Sequence, residues 1–101
     1  MKFIAMNRFK IVLGKEDDFE HVWRTRETFL DEVDGFIDFN LLRGESNDEY
    51  TLYSSHSTWE SKGDFIAWTK SESFRKAHKN AGENKPLYIG HPEFEGFKVV
   101  L

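Results

Sequence analysis

Asn7, Trp68 and His78 are the side chains of this 101-residue chain with the strongest claim to chemistry. The stretch "FIAMNRFKIVL" reads as a β-strand, and if its residues alternate, Phe3, Ala5, Phe9 and Ile11 share one face with Asn7 in their midst. A carboxamide on an apolar strand face is costly unless it finds partners. Asn7 is then either a structural amide bonded to neighbouring backbone or a buried water, or a donor aimed into a cavity between sheet and helices. Trp68 taken alone is an ordinary core aromatic, although a buried indole N–H still wants an acceptor. His78 lies beside Phe74 and Ala77 on a half-apolar helix face, which turns its imidazole towards the sheet. A neutral imidazole on a pocket wall is either a satisfied core histidine or a competent axial ligand for haem iron.

Spacing bears on whether these groups can meet. In one unbroken helix Trp68 and His78 would point about 80° apart. The segment "TKSES" offers a break, so that two short helices can turn both towards one cavity. The other histidines are weaker candidates: His21 falls off its helix stripe, His56 sits in a strand and His91 in a loop. None has the spacing of a metal-binding set, and no nucleophile triad, dinucleotide fingerprint or phosphate loop is present.

The elements that must position these groups follow from periodicity. After the first strand, "KEDDFEHVWRTRETFLDEV" carries Phe19, Val22, Trp23, Arg26, Phe29, Leu30 and Val33 in one helical stripe, which predicts a single helix ending at Asp34-Gly35. Its first turn is acidic, which suits the helix dipole. Arg26 interrupts the apolar stripe. It is either a snorkelling side chain or a group bordering a pocket. "GFIDFNLLRG" and "EYTLYSSHSTWES" read as strands joined by the turn "GESND". Ser61, with Asp64 three residues on, caps a short helix on which Phe65 and Trp68 share a face. A second short helix starts at Ser71, "AGENKPLYIGHPEF" is loop, and "EFEGFKVVL" is the last strand.

The order β-α-β-β-α-α-β predicts one α+β domain of ferredoxin-like type spanning residues 1–101. Helices would cover one face of the sheet. Ile4, Met6 and Val12 make the other face apolar, which calls for a partner, and a second copy packed sheet to sheet gives a homodimer. Composition closes off several alternatives. With no cysteine there is no disulfide, thiolate metal site or thiol nucleophile. A net charge of -4 with interspersed signs lacks the basic stripe of a nucleic-acid binder. The apolar runs are too short for a membrane span and no signal peptide is evident, so a cytoplasmic protein is expected. Aromatics make up 16% of the chain, enough to line a pocket for a flat ligand.

These residues resemble the antibiotic-biosynthesis-monooxygenase superfamily, and within it the small haem-degrading monooxygenases of the IsdG/IsdI/MhuD type. The resemblance spans essentially the whole chain and is carried by "FIAMNRF", "DGFIDFNLLRG", "STWESKGDFIAW" and "SESFRKAHK". A strand Asn, a helix Trp and a His ten residues later mark the haem-degrading branch. The resemblance implies a dimeric α/β barrel with haem, as both substrate and cofactor, between sheet and helices of each subunit. His78 would be the proximal iron ligand, Asn7 a distal hydrogen-bond donor, and Trp68 the residue that presses the porphyrin out of plane. Phe65, Phe74, Trp23 and Arg26 would border the haem, with Arg26 meeting a propionate or solvent. O2 would be the oxidant and an external donor would supply electrons, so that the ring opens and iron leaves. The segment Ala81–Pro92 is shorter and differently composed than in some members, which bears on the propionate contacts. The alternatives are a haem carrier or sensor without turnover, and a cofactor-free oxygenase of aromatic polyketides or quinols.

Overall fold

A computed structural model describes residues 1–26, 28–78 and 86–101. Strand β1 (Phe3–Val12) is followed by helix α1 (Glu16–Thr25), a 3-10 turn (Leu30–Glu32), β2 (Phe36–Ser46), β3 (Tyr50–Trp59), α2 (Lys62–Thr69), α3 (Glu72–His78) and β4 (Glu93–Lys98). The sheet order is β2-β3-β1-β4 with every neighbouring pair antiparallel. This is the ferredoxin-like arrangement expected from the element order: β1 and β2 run parallel around α1, and β3 is inserted between them.

The expected long helix is two pieces. α1 stops at Thr25, and Arg26 takes extended backbone at φ -74, ψ 131. The Thr25 hydroxyl donates back to the His21 carbonyl oxygen at 2.9 Å, a bond that competes with continuation of the ladder. Phe29 then adopts left-handed geometry (φ 59, ψ 17) at the start of the 3-10 turn, a conformation costly for an aromatic residue. Leu30 is buried nonetheless, so the apolar stripe reaches the core without a continuous helix. Gly35, at φ +81, closes this connection, and a Cβ there would meet the Asp64 carboxylate at 2.3 Å. Only glycine fits.

β1 and β3 dictate where the core is filled and where it is not. Phe3 pairs with Trp59 and Phe9 with Tyr53, putting large rings at both ends of the helix-covered face. Between them Ala5 pairs with Ser57 and Asn7 with Ser55, while Ala5 faces Gly96 on its other side. Large residues accordingly form two separate clusters, one of Phe3, Ala5, Leu30 and Trp59, the other of Phe9, Ile11, Phe19 and Tyr53. The small residues in the middle leave space under the helices.

Among the described residues no helix covers the opposite face. It presents Ile4, Met6 and Val12 together with Leu42, Leu52 and Phe97, of which Leu42 and Phe97 are 42% and 47% exposed. Phe39 and Leu41 belong to the covered face instead. Among the described residues no helix is long and apolar enough to cross a membrane.

Candidate active site

The space between the two clusters is a cavity of about 400 Å³ with Ala5, Asn7, Ser55 and Ser57 as its floor. That volume is in the usual range of small-molecule sites, roughly 300–1,000 Å³. Each candidate from the sequence lies on its wall: Asn7, Trp23, Arg26, Phe65, Trp68, Phe74 and His78. Among the described residues the Asn7 carboxamide, half-buried, makes no side-chain hydrogen bond, and it lines this cavity.

Ser71 sets the relation between Trp68 and His78. Its hydroxyl donates to the Trp68 carbonyl oxygen at 2.6 Å, closing α2, and accepts from the Phe74 N–H at 3.1 Å, opening α3. α2 itself starts at Ser61, whose hydroxyl oxygen accepts from the Asp64 N–H at 3.1 Å. The break brings the Trp68 and His78 rings to 6.0 Å between centroids, with Phe74 against both at 4.9 and 4.2 Å. The Trp68 indole N–H is buried and has no partner among the described residues, and the same holds for Trp23.

His78 is held in one tautomer. Its Nδ1 lies 2.8 Å from the Phe74 carbonyl oxygen, which accepts only from a protonated nitrogen. In the neutral ring the lone pair is then on Nε2. Burial is the main cause of a pKa below the ordinary histidine value; the Phe74 carbonyl opposes that shift and the Arg26 charge adds to it. A neutral imidazole with its lone pair on Nε2 can act as a nitrogen ligand.

Arg26 stacks on Trp23, with Cζ 4.5 Å from the ring centroid. Burial lowers its pKa from the usual arginine value, leaving it a cation at any physiological pH. Tyr88, Thr28, Phe94 and Pro92 also line the cavity and were not singled out from the sequence. Tyr88 arrives through a single bridge to Ile11, inside a Gly/Pro-containing stretch that reads as irregular loop. The floor had a clearer signal, the alternation Tyr53-Ser55-Ser57-Trp59, in which serines replace large residues on a buried face. His21 and His91 are exposed, and His56 lies on the uncovered sheet face. Among the described residues no group of His, Asp and Glu side chains could hold a metal ion.

The profile of the antibiotic biosynthesis monooxygenase family matches residues 2–80. A heme-degrading monooxygenase of Shouchella clausii is 41% identical over 66 residues, which cover 64% of this chain and 60% of that protein. A staphylobilin-producing heme oxygenase of Staphylococcus aureus is 33% identical over 86% of this chain and 85% of its own length. Among solved structures, the heme-degrader MhuD of Mycobacterium tuberculosis, with two hemes in its active site, superposes with a TM-score of 0.75 at 26% identity, covering 98% of this chain and 96% of that one. SnoaB, a cofactor-independent oxygenase from Streptomyces nogalater, shares the fold at 21% identity and a TM-score of 0.70, covering 99% and 94%. The chain belongs to the antibiotic biosynthesis monooxygenase family and is similar to its haem-degrading members.

Proposed function

We propose that this chain is a haem-degrading monooxygenase that takes haem as its substrate in the cavity between sheet and helices. The observation that carries the reading is His78, an imidazole whose Nδ1 is committed to the Phe74 carbonyl and which lines an aromatic-walled cavity. The residues present fit a haem. Flat rings of Trp23, Phe65, Trp68 and Phe74 offer apolar contact to a macrocycle.

Bound haem supplies the iron centre at which O2, with electrons from an external donor, is activated against the porphyrin itself. The chain's own residues do the remaining work. His78 would hold the haem iron through Nε2, and the Phe74 carbonyl fixes the ring and raises its basicity. Asn7 would supply a hydrogen-bond donor to the bound group, an amide that offers a donor without surrendering a proton as an imidazolium would. Trp68, packed between Trp59 at 5.4 Å and Phe74 at 4.9 Å, has little room to retreat and would press on a bound macrocycle. Trp23, Phe65 and Phe74 exclude water. The uncovered sheet face joins two copies into a homodimer and completes the dimeric barrel.

The test is to titrate the purified protein with haemin, follow the Soret band, then add ascorbate in air with catalase. A band that forms and then decays with release of iron supports the reading. A band that persists would make the protein a carrier, and no band at all would overturn haem binding. Asn7→Ala is expected to keep the band and lose its decay.

A further inference from the structure

We propose that Ser55 is a second hydrogen-bonding group of the cavity floor, set beside Asn7 so that its hydroxyl donates to a diatomic molecule held between the floor and a flat ligand. The inference rests on the haem reading and adds to it a residue that neither the aromatic walls nor His78 require.

The other buried hydroxyls of this fold are already engaged. Among the described residues the buried polar side chains are Thr51, Ser55 and Ser57. Thr51 donates to the Glu16 carboxylate at 2.7 Å. Ser57 accepts from the Trp59 indole N–H at 2.9 Å and donates to the Ala5 carbonyl oxygen at 3.4 Å. Ser55 is 7% exposed and lines the cavity, yet its hydroxyl makes no hydrogen bond among the described residues. A hydroxyl kept from bulk water without a partner is costly, and a ligand atom that accepts from it removes that cost. Valine or isoleucine suits a central strand better than serine, so packing alone does not account for this residue.

Strand register puts this hydroxyl next to the carboxamide. Asn7 and Ser55 stand directly opposite each other on β1 and β3, and side chains so paired have Cβ atoms about 4.5–5.5 Å apart. Leu41 flanks Ser55 on β2 and Phe94 flanks Asn7 on β4, so apolar side chains bracket the polar pair. The neighbouring pairs offer no free donor. Phe9 faces Tyr53, whose hydroxyl donates to the Glu20 carboxylate at 2.6 Å, and Ala5 faces the engaged Ser57. The open polar groups of the floor are therefore Asn7 and Ser55. His78 stands on α3, across the cavity from them. A macrocycle held from the helix side turns its other face to the floor, where an amide and a hydroxyl can both donate to one accepting atom.

The experiment loads the whole chain with haemin and uses two diatomic probes, cyanide on the ferric form and carbon monoxide after reduction with dithionite. Ser55→Ala should bind haemin within about twofold of the unmodified protein and bind cyanide about three- to tenfold more weakly, as loss of one hydrogen bond implies. Its C–O stretching frequency should rise, because a donor to the oxygen is gone. Ser55→Thr, which keeps the hydroxyl, should retain most of the cyanide affinity, and Ser55→Val, of the same shape without it, should behave as Ser55→Ala. Without haemin, Ser55→Ala should unfold at no lower denaturant concentration than the unmodified protein, since no internal bond is lost. Unchanged cyanide affinity and C–O frequency in Ser55→Ala, or a loss in Ser55→Thr as large as in Ser55→Val, would overturn the role of Ser55 and leave haem binding intact. Absence of a Soret band in the unmodified protein would overturn the haem reading and this inference with it.

Discussion

The His78 Nδ1–H donates to the Phe74 carbonyl oxygen at 2.8 Å, one turn back along α3, and so decides which nitrogen of the ring can act. The same contact stacks the two rings at 4.2 Å and removes the imidazole's freedom to swing. One backbone carbonyl thereby sets tautomer, orientation and basicity together.

The pH dependence of ligand binding follows. Burial holds the His78 pKa below the ordinary histidine value. Haemin affinity should therefore stay flat as pH falls through about 6.5 and drop only lower, where the ring is protonated. The sign for stability is the same. The unfolded chain takes up a proton at the ordinary value while the folded chain resists it, so this contribution is present above that value and is lost as pH falls towards the depressed one. His78→Ala should remove the axial ligand signature in the Soret region and flatten this acid limb of the stability profile. A haemin affinity that falls in step with an ordinary histidine would contradict the desolvated, neutral ring.

Asn7 should trade stability against function. Its carboxamide sits half-buried between Ala5 and Phe9 on the covered face and makes no side-chain hydrogen bond among the described residues. A β-branched apolar residue suits that strand position better. Asn7→Val is expected to raise unfolding free energy by about 0.5–1 kcal/mol in chemical denaturation. Loss of haem turnover with retained binding should accompany the gain. A destabilised Asn7→Val protein would return the amide to a structural role.

Ser71 governs a distance rather than a contact with ligand. Its hydroxyl joins the end of α2 to the start of α3 through the Trp68 carbonyl and the Phe74 N–H. Ser71→Ala should cost about 1 kcal/mol, as loss of a helix cap does. Because Trp68 and His78 stand on either side of this junction, the haem-bound spectrum should broaden or shift more than a distant cap mutant's. Ser61→Ala, which removes the cap at the far end of α2, provides that comparison at similar stability cost.

The fold and the site were legible in the sequence to different depths. Alternation along β1 placed Asn7 on the covered face, and the break at "TKSES" placed Trp68 and His78 towards one cavity, because both depend only on local period. The division of the stripe after Thr25 was not legible. Phe19, Trp23, Leu30 and Val33 keep helical spacing while the backbone between them is extended and then left-handed, so tertiary burial of Leu30 overrides local pattern. Tyr88 was hidden for another reason. A single bridge to Ile11 gives it no periodic signature, and only the assembled sheet brings it beside Trp23 and Arg26.

The uncovered sheet face yields the last prediction. Met6 lies at its centre, paired with His56 on one side and Glu95 on the other, with Ile4 next along β1 and Phe97 beside Ile4. A two-fold association would bury this apolar strip against its copy. The 11.9 kDa chain should then elute and scatter light at twice that mass. Met6→Glu puts a second carboxylate opposite Glu95 and a charge into the strip, where like charges directly opposite destabilise pairing. This substitution should shift the protein to monomer and leave the covered face, including Asn7, in place. Since the cavity is lined within one chain, the monomer should still bind haemin. A monomeric unmodified protein would show that something other than a second copy covers this face.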